Sequence, residues 1–504
     1  MKRATQFMVE DVSCRGGYLW SYLPDFSRRW GEIEARPSMI WIQPPGTPTV
    51  GTLFLEAWTA TNDEFYYEAA RKAGAALIEG QLPCGGWNYV VDFAGEDSLR
   101  EWYATVGRNA WRLEEFHHYF GNATFDDKTT VSAARFLLKL YLAKKDPEVK
   151  VALDRAINFV LESQHPVGAW PQRYPPADMT LGEKTARYSS YLTLNDDVSS
   201  ENIVFLAECH RAFGDSRLKE AATRGMESFV RLQLPPPRAG WALQYTPDLQ
   251  PAGARSYEPR AVVTHVTART IELLVQFYEV TGDPKFLEPI PAAIDWLESC
   301  RLPPGSHGQA THPTFIEPGT GEPLYIHREG SNVVNGRYFA DGSSDKTVGH
   351  YSSFRTIDTR SLRARYEEAR QRPSRRPGEE WRWDSLFPKE ENPPDSGIVA
   401  GPRTGISERP ENTDHVARIL ARLDKRGRWL SPLGTTSHPY QGDGAKERAA
   451  GDFSATFVGD NSDTSPFGAS RPVEGISIKT YLRNMTVLIA WLRASETANG
   501  GKLP

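Results

Sequence analysis

Two acidic pairs stand just ahead of helix-patterned stretches: Asp126-Asp127 before the run Val131 to Leu142, and Asp196-Asp197, after Asn195, before Val198 to Phe213. Adjacent carboxylates at a helix start have two uses. They cap free backbone N–H groups and suit the positive end of the helix dipole. Alternatively, two such pairs opening equivalent helices of neighbouring repeats point at one mouth and offer the oxygen ligands that a hard cation such as calcium takes. The opposite charge comes from two loop-like segments rich in aromatics and turn formers. Arg255 lies in Gln250 to Arg260 and Arg328 in Phe315 to Gly330. A guanidinium held on a loop grips a carboxylate with two prongs, whereas an isolated surface arginine carries only solvated charge.

A third signal is a small-small-tryptophan corner that occurs three times, at Cys84-Gly85-Gly86-Trp87, Val167-Gly168-Ala169-Trp170 and Arg238-Ala239-Gly240-Trp241. Two corners run on into Trp170-Pro171-Gln172-Arg173-Tyr174 and Trp241-Ala242-Leu243-Gln244-Tyr245. Indole faces suit the axial C–H groups of a pyranose, and Gln and Arg reach its hydroxyls or carboxylate. The competing reading is that the tryptophans plug the ends of a helical core.

The elements that must position these residues read as a repeat. Phe54 to Gly80, Phe136 to Ser163, Phe205 to Gln233 and Leu274 to Arg301 can be laid over one another. Each is an aromatic-apolar helix, a polar break at Asn62-Asp63, Asp146-Pro147, Gly214-Asp215 or Gly282-Asp283-Pro284, and a second helix of Ala, Leu and Ile. A helix pair of this size cannot bury its own apolar stripe, so copies must pack side by side, stacked or closed into a ring. The expected class is all-α. After about Arg301 the helical period gives way to Gly, Pro, His and charge. Residues 301–413 and 425–475 are therefore expected to be loop insertions over one end of a single domain, 1–504, with a closing helix over 476–497.

Composition sets limits on function. The 504 residues are 39% hydrophobic with a formal charge of -5, enough for a large core and without the basic face that nucleic acid demands. No stretch is apolar enough to cross a bilayer or serve as a signal peptide at the N-terminus. The four cysteines form no CxxC pair, which excludes an ordinary zinc knuckle.

Taken together, these residues resemble the pectate lyases of the pectic acid lyase family, polysaccharide lyase family 10, from about Gly85 to Gly330. The resemblance runs through Thr124-Phe125-Asp126-Asp127-Lys128-Thr129-Thr130, Trp170 to Tyr174, Asn195-Asp196-Asp197-Val198, Trp241 to Tyr257 with Ala254-Arg255-Ser256-Tyr257-Glu258, and Phe315 to Gly330. It implies an (α/α) toroid that cleaves an acidic polysaccharide or oligosaccharide by calcium-assisted β-elimination. Such a protein would be a monomer, with a substrate class that favours a secreted or periplasmic setting and with no membrane or nucleic-acid partner. By similarity Asp126, Asp127 and Asp196 would hold calcium, Arg255 would abstract the C5 proton of a uronate, and Arg328 would bind its carboxylate. Tyr257 is a second candidate for the proton, with Tyr245 and His327 as substitutes. Trp170, Arg173, Trp241, Tyr245, Asp197 and His327 would bind substrate.

Departures from the family pattern point to a changed subsite. Thr314 stands where an Arg is usual, Arg328-Glu329-Gly330 replaces Arg-Asp-Gly, Asp126-Asp127 replaces an Asp-Asn pair, and Gly85-Gly86-Trp87-Asn88-Tyr89 replaces Gly-Gly-Trp-Pro-Lys. Shorter, modified or branched uronides become candidates. Two rival classes fit the same residues: a toroid glycoside hydrolase with Asp126 and Asp196 or Asp197 as its acid pair, and a non-catalytic carbohydrate-binding toroid.

Overall fold

The computed structural model describes residues 1–107, 114–176, 188–329, 337–345, 347, 352–373, 380–382, 413–433 and 473–498. Four antiparallel helix pairs dominate these residues: Thr47–Thr61 with Glu64–Glu79, Thr129–Lys144 with Pro147–Glu162, Val198–Phe213 with Ser216–Arg231, and Thr264–Thr281 with Ile290–Ser299. Every predicted polar break is a cap. The first helix of each pair ends on a left-handed residue, at Asn62, Lys145, Gly214 and Gly282. The next segment then starts on an aspartate whose side chain accepts a backbone N–H, from Phe65 to Asp63, Glu148 to Asp146, Arg217 to Asp215 and Lys285 to Asp283. An Asp at this position satisfies a donor that the first turn leaves orphaned.

The first helices of the first three pairs lie side by side, and the final helix Ile478–Ala498 packs on the outer flank of the first of them. The fourth pair docks on the third and carries a further helix, Thr359–Arg370, on its far side. The two ends of the chain meet, because Ser21–Tyr22 pairs antiparallel with Glu474–Ser477 and the Tyr481 hydroxyl lies 2.7 Å from Thr5 Oγ1. The architecture is an (α/α) toroid of repeated hairpins, as the repeat and the family resemblance imply.

One device joins successive hairpins, and the tryptophan corners are part of it. The indole N–H of Trp87, Trp170 and Trp241 donates to Leu77 O (2.8 Å), Val160 O (2.8 Å) and Phe229 O (2.7 Å) at the end of the preceding helix. The three backbone N–H groups donate to Thr130, Ser199 and Thr267, in the first turn of the next hairpin. Gln81, Gln164 and Gln233 repeat the same bridge beside them, each donating through Nε2 to the corner (Gly85 O, Gly168 O, Ala239 O) and to the following hairpin (Ala152 O, Ala221 O, Pro289 O). At Gly85 and Gly168 φ is +100° and +113°, and a Cβ would run into the carbonyl of Arg155 or Arg224 on the neighbouring helix. Close backbone approach under a positive φ is what requires glycine there.

The segment read as loops after Arg301 is more regular than its composition indicates. Its described part contains the strands Phe315–Ile316, Pro323–Glu329 and Arg337–Asp341, paired antiparallel in that order onto Val262–Val263, as well as the helix Thr359–Arg370. Most of 425–475 lies outside the described residues, and the closing helix is preceded by a strand. All four cysteines are free.

Candidate active site

The acidic pairs are not caps. Asp126–Lys128 and Asn195–Asp197 form short 3-10 turns ahead of the second and third hairpins, and no side chain there caps a helix N–H. Instead Asp127 and Asp196 occupy the same left-handed conformation, with φ of 46° and 50°. That region is sparsely populated by residues other than Gly, Asn and Asp, and strained backbone of this kind collects at functional sites. The repeat therefore delivers two acidic turns, bent alike, to the start of adjacent inner helices.

Arg255 reaches into them from the loop between Pro251–Ala252 and Val262–Val263. Only 4% of its side chain is exposed, and four carboxylates surround it: Glu258 at 2.9 Å, Glu115 and Asp196 at 3.4 Å, and Asp126 at 3.5 Å. Glu258 also accepts the backbone N–H of Arg255 at 2.9 Å. Asn195 Nδ2 ties the arrangement together, donating to Glu258 Oε1 at 3.1 Å and to Asp196 Oδ2 at 2.6 Å. On the other side Tyr89 donates its hydroxyl to Asp126 Oδ2 at 2.6 Å, and Gln43 donates to Asp127 Oδ2 at 2.7 Å.

Negative charge outweighs positive in this enclosure, and the titration of its acids reflects it. Burial raises the Glu115 carboxyl to about 8, helped by Glu32 and Asp126 and opposed by Arg255. Asp127 and Asp196 are likewise raised well above the usual carboxylate range, by burial first and then by neighbouring acids, Asp126 among them in both cases. Asp126 Oδ1 and Glu115 Oε2 are buried acceptors without a hydrogen-bond partner among the described residues. Such a set suits a hard cation in donor type, in excess charge and in its open acceptor at Asp126. Among the described residues, however, no three His, Cys, Asp or Glu side chains are already drawn into a metal-holding group.

Several expected site residues lie elsewhere. Trp170 and Trp241 are fully buried and committed through their indole N–H, so the plug reading holds and neither offers a face to a sugar. Tyr245 is equally buried and its hydroxyl accepts the N–H of Ala242 at 2.7 Å, which removes it as a base. Asp197 turns away from the cluster into a ladder between the inner helices, 3.3 Å from Arg269 and 3.6 Å from Lys128. Burial would raise its carboxyl, but these two cations outweigh that and hold it below the usual range. His327 Nε2 is engaged by Asp341 at 2.9 Å and Ser343 O at 3.1 Å, and its ring stacks on Phe339.

Other expectations land beside the cluster. The Tyr257 ring lies under Arg255, with 5.5 Å from guanidinium carbon to ring centroid. Arg328 sits in the strand Pro323–Glu329 opposite Tyr338, whose ring meets Tyr257 edge to face at 6.0 Å; the Arg328 side chain itself lies outside the described residues. Arg173 is buried three residues after the corner tryptophan Trp170, with Nη1 3.3 Å from both Asn88 Oδ1 and Asn122 Oδ1.

The cluster also contains residues that sequence reasoning passed over. Glu258 and Asn195 stand inside motifs already singled out, three residues after Arg255 and one before Asp196, so spacing could have found them. Tyr89 closes the corner motif Gly85 to Tyr89, two residues after Trp87, whereas Glu115 and Gln43 belong to no motif and become visible only when the turns converge.

The comparisons with known proteins bear on this segment. Residues 97–339, a little under half of the chain, match the family model described as pectic acid lyase. No curated protein matches the chain. Among solved structures, a family 10 polysaccharide lyase from Cellvibrio cellulosa is 18% identical, with 54% of this chain and 82% of that one covered at a TM-score of 0.36. A mutant of that enzyme in complex with trigalacturonic acid gives 18% identity, coverage of 55% and 86%, and the same TM-score of 0.36. An α-1,6-mannanase variant from Salegentibacter sp. HEL1_6 is 10% identical over 97% of both chains, again at 0.36. Superpositions this loose carry no weight for activity, which leaves the family match. It spans both acidic turns, the Arg255 loop and the strand of Arg328, so the site-bearing part of the chain is similar to the pectic acid lyase family.

Proposed function

We propose that the protein is a polysaccharide lyase that cleaves 4-linked uronic-acid glycans of the pectate class by calcium-assisted β-elimination. The observation that supports this most is the convergence of the two acidic turns with Arg255: side chains 129 and 59 positions away along the chain, Asp126 and Asp196, come within 3.5 Å and 3.4 Å of one guanidinium.

In a 4-linked uronate the C5 proton is adjacent to the C6 carboxylate. Its removal builds enolate charge that must be stabilised before the C4–O4 bond breaks with its electron pair going to oxygen. Asp126 and Asp196, with Asp127 beside them, would hold the calcium ion. Bound there, calcium would neutralise the substrate carboxylate, acidify the C5 proton and offset the acidic field around Arg255. Arg255 is the group proposed to take that proton. A guanidinium is a poor base, and four neighbouring carboxylates favour its charged form further, so the reaction is expected to run best in alkali. Tyr257, packed under Arg255, keeps the guanidinium in place, and Arg328 would receive the substrate carboxylate.

The test is incubation with polygalacturonate and calcium, followed in the ultraviolet. β-Elimination leaves an unsaturated uronide that absorbs there, whereas hydrolysis by an acid pair leaves no chromophore and a binding protein leaves no product. New reducing ends without absorbance would overturn the proposal in favour of a hydrolase.

A further inference from the structure

The two acids of the first turn are held by donors from one short ladder. Met39–Trp41 pairs antiparallel with Val90–Asp92, Trp41 opposite Val90, and just beyond that pair the Ile42 N–H donates to Tyr89 O at 2.7 Å. The ladder therefore ends with Tyr89 on one strand and Gln43 on the other. Tyr89 gives its hydroxyl to Asp126 Oδ2 at 2.6 Å, and Gln43 Nε2 donates to Asp127 Oδ2 at 2.7 Å.

Gln43 has only one workable amide orientation. Trp41 Nε1 donates to Gln43 Oε1 at 2.8 Å, and an indole nitrogen can only donate, so the amide oxygen must face Trp41 and the NH2 group must face Asp127. The backbone is pinned as well, since Gln43 O accepts Trp20 Nε1 at 3.1 Å and the Gly46 N–H at 2.9 Å. Gln43 is 2% exposed and Trp41 is fully buried. The Trp41 ring packs against Phe116 and Trp102, with centroids 5.7 Å and 6.2 Å apart, and lies so close to Gly31 that a Cβ there would overlap the indole. Phe116, the residue after Glu115, also meets the Tyr89 ring at 5.0 Å. One aromatic floor thus fixes both donors and the segment that carries Glu115.

The charges of Asp126, Glu32 and Glu115 all act on Asp127, and a carboxylate among acids turns away from them when it is free to rotate. A hydrogen bond to one of its oxygens from a fixed neutral amide opposes that rotation and leaves the negative charge in place for a cation. Asp196, which matches Asp127 in conformation, is held differently, by Asn195 of its own turn and by Arg255. Gln43, Trp41 and Tyr89 all precede residue 97, where the family match begins. We propose that Gln43 is a positioning residue: backed by the Trp41 indole, it holds the Asp127 carboxylate in the orientation that a divalent cation needs, and it extends the functional centre into the N-terminal segment. This rests on the cation site of the lyase reading above and adds to it a residue outside the matched segment.

The test is a calorimetric titration with calcium alone, without substrate, of the wild type, Gln43→Met and Gln43→Asn. Methionine keeps the length and removes both polar atoms, whereas asparagine keeps the amide but is one methylene too short to span Trp41 and Asp127. Melting curves establish which variants are folded, and asparagine serves if methionine does not fold. Both substitutions are expected to raise the calcium Kd about tenfold or more, the usual scale for a residue that orients a metal ligand, and saturating calcium is expected to return turnover on polygalacturonate to near the wild-type rate. An unchanged Kd in a folded variant overturns the positioning role. So does lost turnover that excess calcium leaves unrestored, which marks a merely structural residue. A wild type that binds calcium but releases no unsaturated product sinks the lyase reading alone, and the calorimetric comparison still decides Gln43. A wild type that binds no calcium overturns the inference itself.

Discussion

Arg255 and Glu258 form a forked ion pair, with Nε 3.1 Å from Oε2 and Nη2 2.9 Å from Oε1. Glu258 thereby orients the guanidinium, and the remaining nitrogen, Nη1, is turned toward Glu115 and Asp126. Removing Arg255 leaves four acids without their shared counter-charge. Arg255→Ala is expected to abolish turnover and also to lower stability by about 3–5 kcal/mol, the usual cost of stranding buried charge. A denaturant titration at pH 8 checks this, and a midpoint equal to wild type would show the guanidinium to be dispensable for the fold.

Chelation is the second prediction. EDTA should extinguish formation of the unsaturated product, and added calcium should restore it. Asp126→Asn removes the charge of the open acceptor and should raise the calcium concentration needed for half-maximal rate at least about tenfold, the scale of one lost charged ligand interaction. Full activity in EDTA would end the calcium proposal.

The pH dependence of stability offers a third test, at Glu115. Its carboxyl stands at about 8 in the fold against an ordinary 4.5. Between those values the unfolded chain has given up a proton that the folded chain keeps, so this group's contribution is complete below about 4.5 and lost as pH rises through about 8. Glu115→Gln does not titrate. Its melting temperature should fall less steeply than that of the wild type across this window, and parallel curves would show that Glu115 ionises normally.

Trp170 gives the fourth. Its ring is fully buried and its N–H is bonded to Val160 O, so Trp170→Ala should cost about 3–5 kcal/mol of stability as a large-to-small core substitution. The same change should leave the KM of the folded fraction near that of the wild type. A raised KM with unaltered melting would restore the sugar-platform reading.

Much of the scaffold was legible in the sequence because it rests on local rules. The four hairpins follow from apolar periodicity and from an Asp after each break, and the corner glycines and tryptophans mark the joints because their steric and packing demands are set by near neighbours in the repeat. The strands around Arg328 were missed, since a Gly- and Pro-rich stretch has no pattern until Val262–Val263 offers it an edge to pair with. The same limit applied to Trp170, Trp241 and Tyr245. An aromatic residue beside glycine reads alike whether it faces a ligand or a core, and only the packed position of the next hairpin decides.

The sequence by itself determined which residues carry charge and in what order the repeat presents them: type and spacing singled out the acidic pairs at Asp126 and Asp196, and the family resemblance added the role of Arg255. Tertiary structure decided what those charges do to one another. It brought Glu115 and Gln43 to the cluster from segments without a motif, turned Asp197 to Lys128 and Arg269, and left Arg173 buried without an acid among the described residues. The physical reason is that an ion's worth depends on distance and on the water removed around it, and both are fixed only when hairpins far apart in the chain close against each other.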